Sequence, residues 1–78
     1  MKRKKTKVIY KRLKKNWGWS NNETNTIELH DKMKGKLHLK ILIHEHLHLL
    51  LIPFDEEHIK GMAKKMSDLL WNQGYRRL

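Results

Sequence analysis

The chain has 78 residues, no cysteine and a formal net charge of +10. A single domain of this size buries only about 60% of the surface of its unfolded chain and cannot be stabilised by disulfides, so a bound metal would help it to fold. The most apolar run is too short and too polar to span a bilayer, and the basic N-terminus lacks the apolar segment of a secretory signal. We therefore expect a cytoplasmic protein that does not associate with membranes.

The N-terminal segment carries much of the positive charge. Nine of the eighteen lysines and arginines lie in residues 1–15, and the first acidic residue is Glu23. We expect residues 1–6 to form a flexible basic arm and residues 7–78 to form one domain. Such an arm attracts polyanions, including nucleic acid, without sequence specificity. A solvated tail that only aids solubility is an equally good interpretation.

Residues 7–30 predict a small sheet. Residues 7–13 place β-branched and aromatic side chains between lysines, which is typical of an edge strand. In residues 26–30, Ile27 and Leu29 alternate with polar side chains, so this strand should bury one face. Residues 17–20 precede it, and the asparagine-rich link between the two segments favours a hairpin.

Two tryptophans lie on the same side of the predicted strand at residues 17–20. We expect Trp17 and Trp19 to pack in the core against the helices. The alternative is a platform on which nucleic-acid bases stack.

The second half of the chain predicts two helices. The first covers residues 37–51 and ends because Pro53 disfavours a helical residue before it and cannot continue the hydrogen-bond ladder. Asp55 should cap the second helix, which runs to about Asn72 and stops at Gly74. Apolar side chains at three- and four-residue spacing indicate that one face of this helix packs on the first helix and the sheet; they are Ile59, Met62, Ala63, Met66, Leu69 and Leu70.

The first predicted helix contains the motif H-E-x-x-H at residues 44–48. His44 and His48 lie one turn apart on one face and can bind a single metal ion, with Glu45 beside them. Two imidazoles, an open coordination position and a carboxylate that accepts a proton from water are the components of zinc-dependent hydrolysis. A histidine-rich surface helix without an ion is the alternative, but burying such residues in an apolar run without a partner is costly. We interpret His30, His38 and His46 as ordinary exposed histidines.

A catalytic zinc site needs a third protein ligand. Metzincins take it from a histidine six residues after His48, but that position is a phenylalanine. If Ile59 is the centre of the buried face of the second helix, Glu56 lies one turn earlier on the same side, and Glu57 lies on roughly the opposite side. We take Glu56 as the third ligand and His58 as the alternative. The interpretation of Glu56 as a first-turn acid without a ligand role stays open. Histidine and carboxylate ligands also accept divalent ions other than zinc.

The chain resembles the small zincin-type metallopeptidases of bacteriophage genomes over residues 17–77. The residues that carry the resemblance are the strand at 26–29, the turn at Gly35, the motif at 42–48, Pro53, the acids at 55–57 and residues 70–76. The resemblance implies a minimal zincin-like α+β domain, with a small antiparallel sheet of two or three strands, an active-site helix and a C-terminal backing helix. It also implies a viral protein in the host cytoplasm. Compared with larger zincins, we expect this chain to be without the second subdomain that encloses their substrate cleft.

These residues support two hypotheses. In the first, the protein is a zinc-dependent metallopeptidase in which His44, His48 and Glu56 hold zinc and Glu45 is the general base. The resemblance carries the same roles onto the two histidines and Glu45, and places the third ligand within residues 55–57. A peptide or protein substrate would lie extended along the edge of the sheet. In the second, the protein is a basic viral accessory or nucleic-acid-binding protein whose metal is only structural. The sequence does not indicate the substrate or the oligomeric state.

Overall fold

We describe residues 5–50 and 53–75 of a computed structural model. The elements in chain order are β1 (Lys7–Lys11), β2 (Gly18–Asn21), β3 (Thr26–His30), α1 (Gly35–Leu50) and α2 (Glu56–Asn72). The expected α+β arrangement of a small sheet and two helices is therefore confirmed. Most of the predicted basic arm, and the predicted last residue of the first helix, Leu51, lie outside the described residues.

The three strands form one mixed sheet in the order β1-β3-β2. Strands β2 and β3 pair antiparallel, as expected for the hairpin, but β1 pairs parallel with β3, so the expectation of a wholly antiparallel sheet is wrong. Strand β3 takes the centre, where Ile27 and Leu29 are fully buried. The lysine-flanked β1 takes an edge, where charged side chains remain in solvent. The chain reverses between β1 and β2, and the hairpin reverses it again, so β3 runs in the direction of β1.

The link between β2 and β3 is a turn that asparagines stabilise. The Asn21 Oδ1 atom accepts hydrogen bonds from the backbone N–H groups of Glu23 and Thr24, at 2.9 and 3.3 Å. Asn25 adopts a left-handed conformation, with φ of 52°. Asparagine tolerates this conformation and its side chain bonds to nearby backbone, which is why the sequence indicated the turn.

The two tryptophans lie on the outer face of the sheet. Trp17 and Trp19 are 49% and 42% exposed, so the expectation that they pack against the helices is wrong. The register explains this placement, because Gly18 pairs with Leu29 and points to the core, and the tryptophans on either side of it therefore point away. On the outer face, Trp19 Nε1–H donates to Glu28 Oε1 at 3.0 Å, and Lys11 Nζ lies 3.0 Å from the same oxygen.

Helix α1 lies between the sheet and α2. On one side, Ile41, Leu42 and Leu49 pack on a cluster of Ile27, Leu29 and Met33. On the other, Ile43 packs on a cluster of Leu47, Ile59 and Ala63 that Met62 also joins. Coverage on two sides explains why α1 is apolar over so much of its surface. Among the described elements α2 contacts α1 but not the sheet, so the expectation that α2 packs on both is wrong. In the part of the chain that is described, neither helix has the length and apolar character needed to cross a membrane.

Both ends of α2 have the predicted signals. Asp55 has an extended backbone, and its carboxylate accepts a hydrogen bond from the His58 N–H at 2.9 Å. This backbone hydrogen bond, together with a side-chain contact to His58, lowers the pKa of Asp55. At the other end Gly74 has φ of 89°, and the N–H groups of Gly74 and Tyr75 donate to Trp71 and Leu70 carbonyls. These two bonds form a Schellman motif, which requires a residue such as glycine after the helix.

Two glycines provide opposite tests of this packing. A Cβ atom on Gly18 would lie 2.7 Å from Leu29 Cδ2, 3.0 Å from Ile41 Cγ2 and 3.1 Å from the carbonyl oxygen of Glu28. We expect Gly18→Ala to lower the free energy of unfolding by about 1 to 3 kcal/mol, because it overpacks the contact between the hairpin and α1. A Cβ atom on Gly61 in α2 would lie more than 4 Å from any atom beyond its chain neighbours and its own helix backbone. Gly61→Ala should therefore stabilise the protein by about 1 kcal/mol through helix propensity. Denaturant unfolding of both variants measures these changes, and a Gly18→Ala protein as stable as the parent contradicts the packing.

Candidate metal centre

Three side chains of the predicted site meet where α1 and α2 face each other. His44 Nε2 lies 2.7 Å from Glu56 Oε1, and His48 Nε2 lies 2.9 Å from Glu56 Oε2. The two Nε2 atoms are 3.1 Å apart. The candidate ligand atoms of the three residues all lie within 4.8 Å of one another. A single carboxylate therefore contacts both imidazoles of the H-E-x-x-H motif.

Local structure explains how these residues meet. His44 and His48 are four residues apart in α1, so their side chains lie on one face of the helix. The chain then reverses, and the capped first turn of α2 begins with Glu56. Ile59, one turn later, is fully buried in the cluster that α2 forms with α1. Glu56 lies on the same side of α2 as Ile59 and is therefore directed toward α1.

The donor set fits a metal ion better than it fits hydrogen bonds alone. A neutral imidazole has one N–H group. If both Nε2 atoms carry hydrogen and donate to Glu56, two N–H donors lie side by side with their nitrogen atoms 3.1 Å apart. If only one Nε2 is protonated, a lone pair of the other ring faces the carboxylate. A cation between the three groups removes this conflict. Ligand atoms of tetrahedral zinc lie about 3.3 Å apart for bonds of about 2.0 Å, which is close to the separations in this cluster.

Glu45 is available for a chemical role. It follows His44 and lies about 100° around the helix from it. Its side chain is half-buried and makes no hydrogen bond or ion pair with any other residue that the structure describes. A carboxylate that has no structural partner can accept and release a proton during a reaction.

The other candidates for the third ligand point elsewhere. His58 Nδ1 lies 2.7 Å from Asp55 Oδ1, and the His58 side chain is 70% exposed. Glu57 is exposed. Within residues 5–50 and 53–75, the group of side chains around His44 and His48 that could hold a metal ion includes Glu56 and neither of these two.

The remaining histidines have structural surroundings. His38 is buried, and its Nε2 atom shares a hydrogen bond with the Tyr10 hydroxyl at 2.9 Å. The expectation of an exposed His38 is wrong because β1 places Tyr10 over this part of α1. His30 and His46 are half-buried rather than exposed; the His30 ring accepts a hydrogen bond from the Lys32 N–H, and His46 Nε2 lies 3.4 Å from Thr6 Oγ1. The contacts of His38 and His46 join residues 28 and 40 positions apart in the chain, so no local sequence pattern indicates them.

Comparison with protein families, curated proteins and solved structures found no match for this chain. The resemblance to zincin-type metallopeptidases therefore stays a prediction. It depends on the motif and on the side-chain cluster described above.

Zinc titration tests the ligand assignment. We expect one zinc ion per chain and a higher melting temperature in its presence, because a ligand that binds only the folded state stabilises it. His44→Ala, His48→Ala and Glu56→Ala should each weaken zinc binding by at least about 100-fold. Mutation of a residue that only hydrogen-bonds to a metal ligand already lowers metal affinity by about 10- to 100-fold.

His58→Ala is the matched control for this titration. It removes a donor from the same turn of α2 and should leave the zinc affinity unchanged, because the His58 side chain faces Asp55. Calorimetry of metal-free protein measures all of these affinities. If His58→Ala loses zinc and Glu56→Ala keeps it, the third ligand is wrongly assigned.

Proposed function

We propose that the protein is a zinc-dependent metallopeptidase. The observation that supports this proposal best is the meeting of both motif imidazoles with one carboxylate of the next helix, at 2.7 and 2.9 Å. His44, His48 and Glu56 would hold the ion. When bound, zinc supplies Lewis acidity, which polarises the carbonyl of the scissile bond and makes water more acidic.

Glu45 acts as the general base in this proposal. Its carboxylate accepts a proton as water attacks the carbonyl carbon, and it returns the proton to the leaving amine as the C–N bond breaks. The Glu56 side chain is 55% exposed, so substrate can approach the site from solvent. Strand β2 is an edge strand that packs on α1. A peptide added to this edge would lie along the helix that carries the motif.

The substitution Glu45→Gln separates chemistry from metal binding. It should leave zinc affinity unchanged and lower hydrolysis by at least about 100-fold, because a positioned general base contributes 10² to 10⁴ in rate. Mass spectrometry of a peptide library incubated with zinc-loaded protein measures cleavage, and elemental analysis measures the metal. His58→Ala should cleave like the parent. A Glu45→Gln protein that cleaves as fast as the parent contradicts the mechanism.

The second candidate function is nucleic-acid binding, with the metal in a structural role. A cleft of about 280 Å³ lies at the connection between β1 and β2, and its lining includes Lys14, Lys15 and the half-exposed Trp17. An exposed aromatic ring beside lysines is typical of sites where a base stacks and a phosphate is neutralised. Trp17 also contacts the His30 ring edge-on, with 5.3 Å between ring centroids, which holds the indole in place.

Substitution of the two exposed tryptophans tests this second function. Trp17→Ala should weaken binding of a single-stranded oligonucleotide by about tenfold, because a stacked base is worth about 1 to 3 kcal/mol. Trp19→Ala is the control, since Trp19 lies on the same face outside the cleft and bonds to Glu28. Binding should also fall steeply with salt and be lost when residues 1–6 are deleted. Fluorescence anisotropy measures the affinities, and undetectable or salt-insensitive binding would remove this candidate.

A further inference from the structure

We propose that a second cleft, beside the metal centre, selects an acidic side chain of the peptide substrate. This inference rests on the proposed peptidase function. The cleft lies between α1 and α2 and has a volume of about 280 Å³. His44 belongs both to its lining and to the metal centre. The residues that line it are Lys40, Ile41, His44, Lys60, Ala63 and Lys64.

The cleft follows the groove between the two helices. Glu56 contacts His44 near one end of the helix pair, and Asp68 contacts Lys36 near the other, so α1 and α2 run antiparallel. Lys40 lies one turn before His44, and Lys60 lies one turn after Glu56. Both lysines are therefore displaced from the metal centre in the same direction, by about 6 Å along the helix axes.

The charge of the cleft is positive and only partly compensated. Lys64 Nζ lies 3.4 Å from Asp68, which also pairs with Lys36. Lys40 and Lys60 are exposed, and neither forms an ion pair with any residue in the described part of the chain. Two ammonium groups are thus available to an anionic ligand at the rim of this groove.

The floor of the cleft is apolar. Ala63 is 1% exposed, and Ile41 is half-buried where it packs on the sheet cluster. An apolar floor under ammonium groups matches the side chains of aspartate and glutamate, whose methylene groups contact apolar surface while the carboxylate accepts charge-assisted hydrogen bonds.

The spacing between the cleft and the metal centre matches one side chain of a bound peptide. An extended peptide advances about 3.3 to 3.6 Å per residue. A displacement of about 6 Å therefore places the acidic residue within about two positions of the scissile bond.

Peptide binding to zinc-loaded Glu45→Gln protein tests the subsite without hydrolysis. The probes are three fluorescein-labelled hexapeptides of the same sequence with glutamate, glutamine or lysine at one central position, measured by anisotropy in 150 mM salt. We expect the glutamate peptide to bind tightest. Lys40→Gln and Lys60→Gln should each weaken its binding by about fivefold, as expected for one partly exposed charged hydrogen bond, and should leave the glutamine peptide unaffected.

Lys65→Gln is the matched control variant. It makes the same charge change on α2, at an exposed position that does not line the cleft. The subsite is refuted if Lys65→Gln weakens binding of the glutamate peptide as much as Lys60→Gln does, or if the three peptides bind with equal affinity. Either result means that general surface charge alone determines the binding. A single-stranded oligonucleotide is tested as a competitor of the glutamate peptide. If it displaces the peptide, and if Lys60→Gln but not Lys65→Gln lowers its affinity, the cleft binds nucleic acid and the inference is overturned.

A separate measurement distinguishes failure of the subsite from failure of the proposed function. Zinc titration and cleavage of the same peptides by the parent protein report on the peptidase. If zinc binds and the lysine-dependent preference for glutamate is present but no peptide is cleaved, the peptidase function fails while the acidic subsite stands. If the parent cleaves all three peptides equally well and shows no preference in binding, the subsite fails while the peptidase function stands.

Discussion

The contact of Glu56 with His44 and His48 is the interaction that links the candidate chemistry to the fold. The buried apolar side chains of the described residues form one small cluster on each side of α1. The cluster between the helices contains Leu47, Ile59 and Ala63, and Glu56 joins the same two helices one turn away from it. A metal bound there would connect α1 to α2 directly, and its binding free energy would add to the stability of the fold. The residues that would perform the chemistry are thus also residues that hold the helices together.

The central position of α1 explains why the site is where it is. One face of α1 packs on the sheet through Ile41 and Leu42, and another packs on α2 through Leu47. Helical geometry leaves a strip between these faces, which carries His44, His48 and, one turn earlier, Lys40. This strip borders the groove between α1 and the first turns of α2. The candidate metal centre and the lysine-lined cleft are neighbours because they occupy consecutive turns of the same groove.

The expectations that failed concern packing between segments far apart in the sequence. Alternation in β3 correctly indicated which of its residues are buried, because that signal is local. This alternation could not indicate that β1 pairs in parallel with β3, since the sequence of a strand does not specify which strand lies beside it. The same reason applies to Trp17 and Trp19, which lie outside the core because Gly18 must face Leu29 at a spacing too short for a Cβ. It applies also to His38, which is buried and contacts Tyr10, a residue 28 positions earlier in the chain.

By itself the sequence determined the elements and the short-range chemistry. Helix capping by Asp55, termination at Gly74, the asparagine turn and the spacing of His44 and His48 all depend on residues within about one or two turns of one another. Helical periodicity also ranked Glu56 first among the acids of α2. Only the tertiary structure decided that the reversal between the helices brings Glu56 to both imidazoles, because that contact joins two different helices. It also decided that Lys40 and Lys60 share one cleft, because that neighbourhood depends on how the two helices pack.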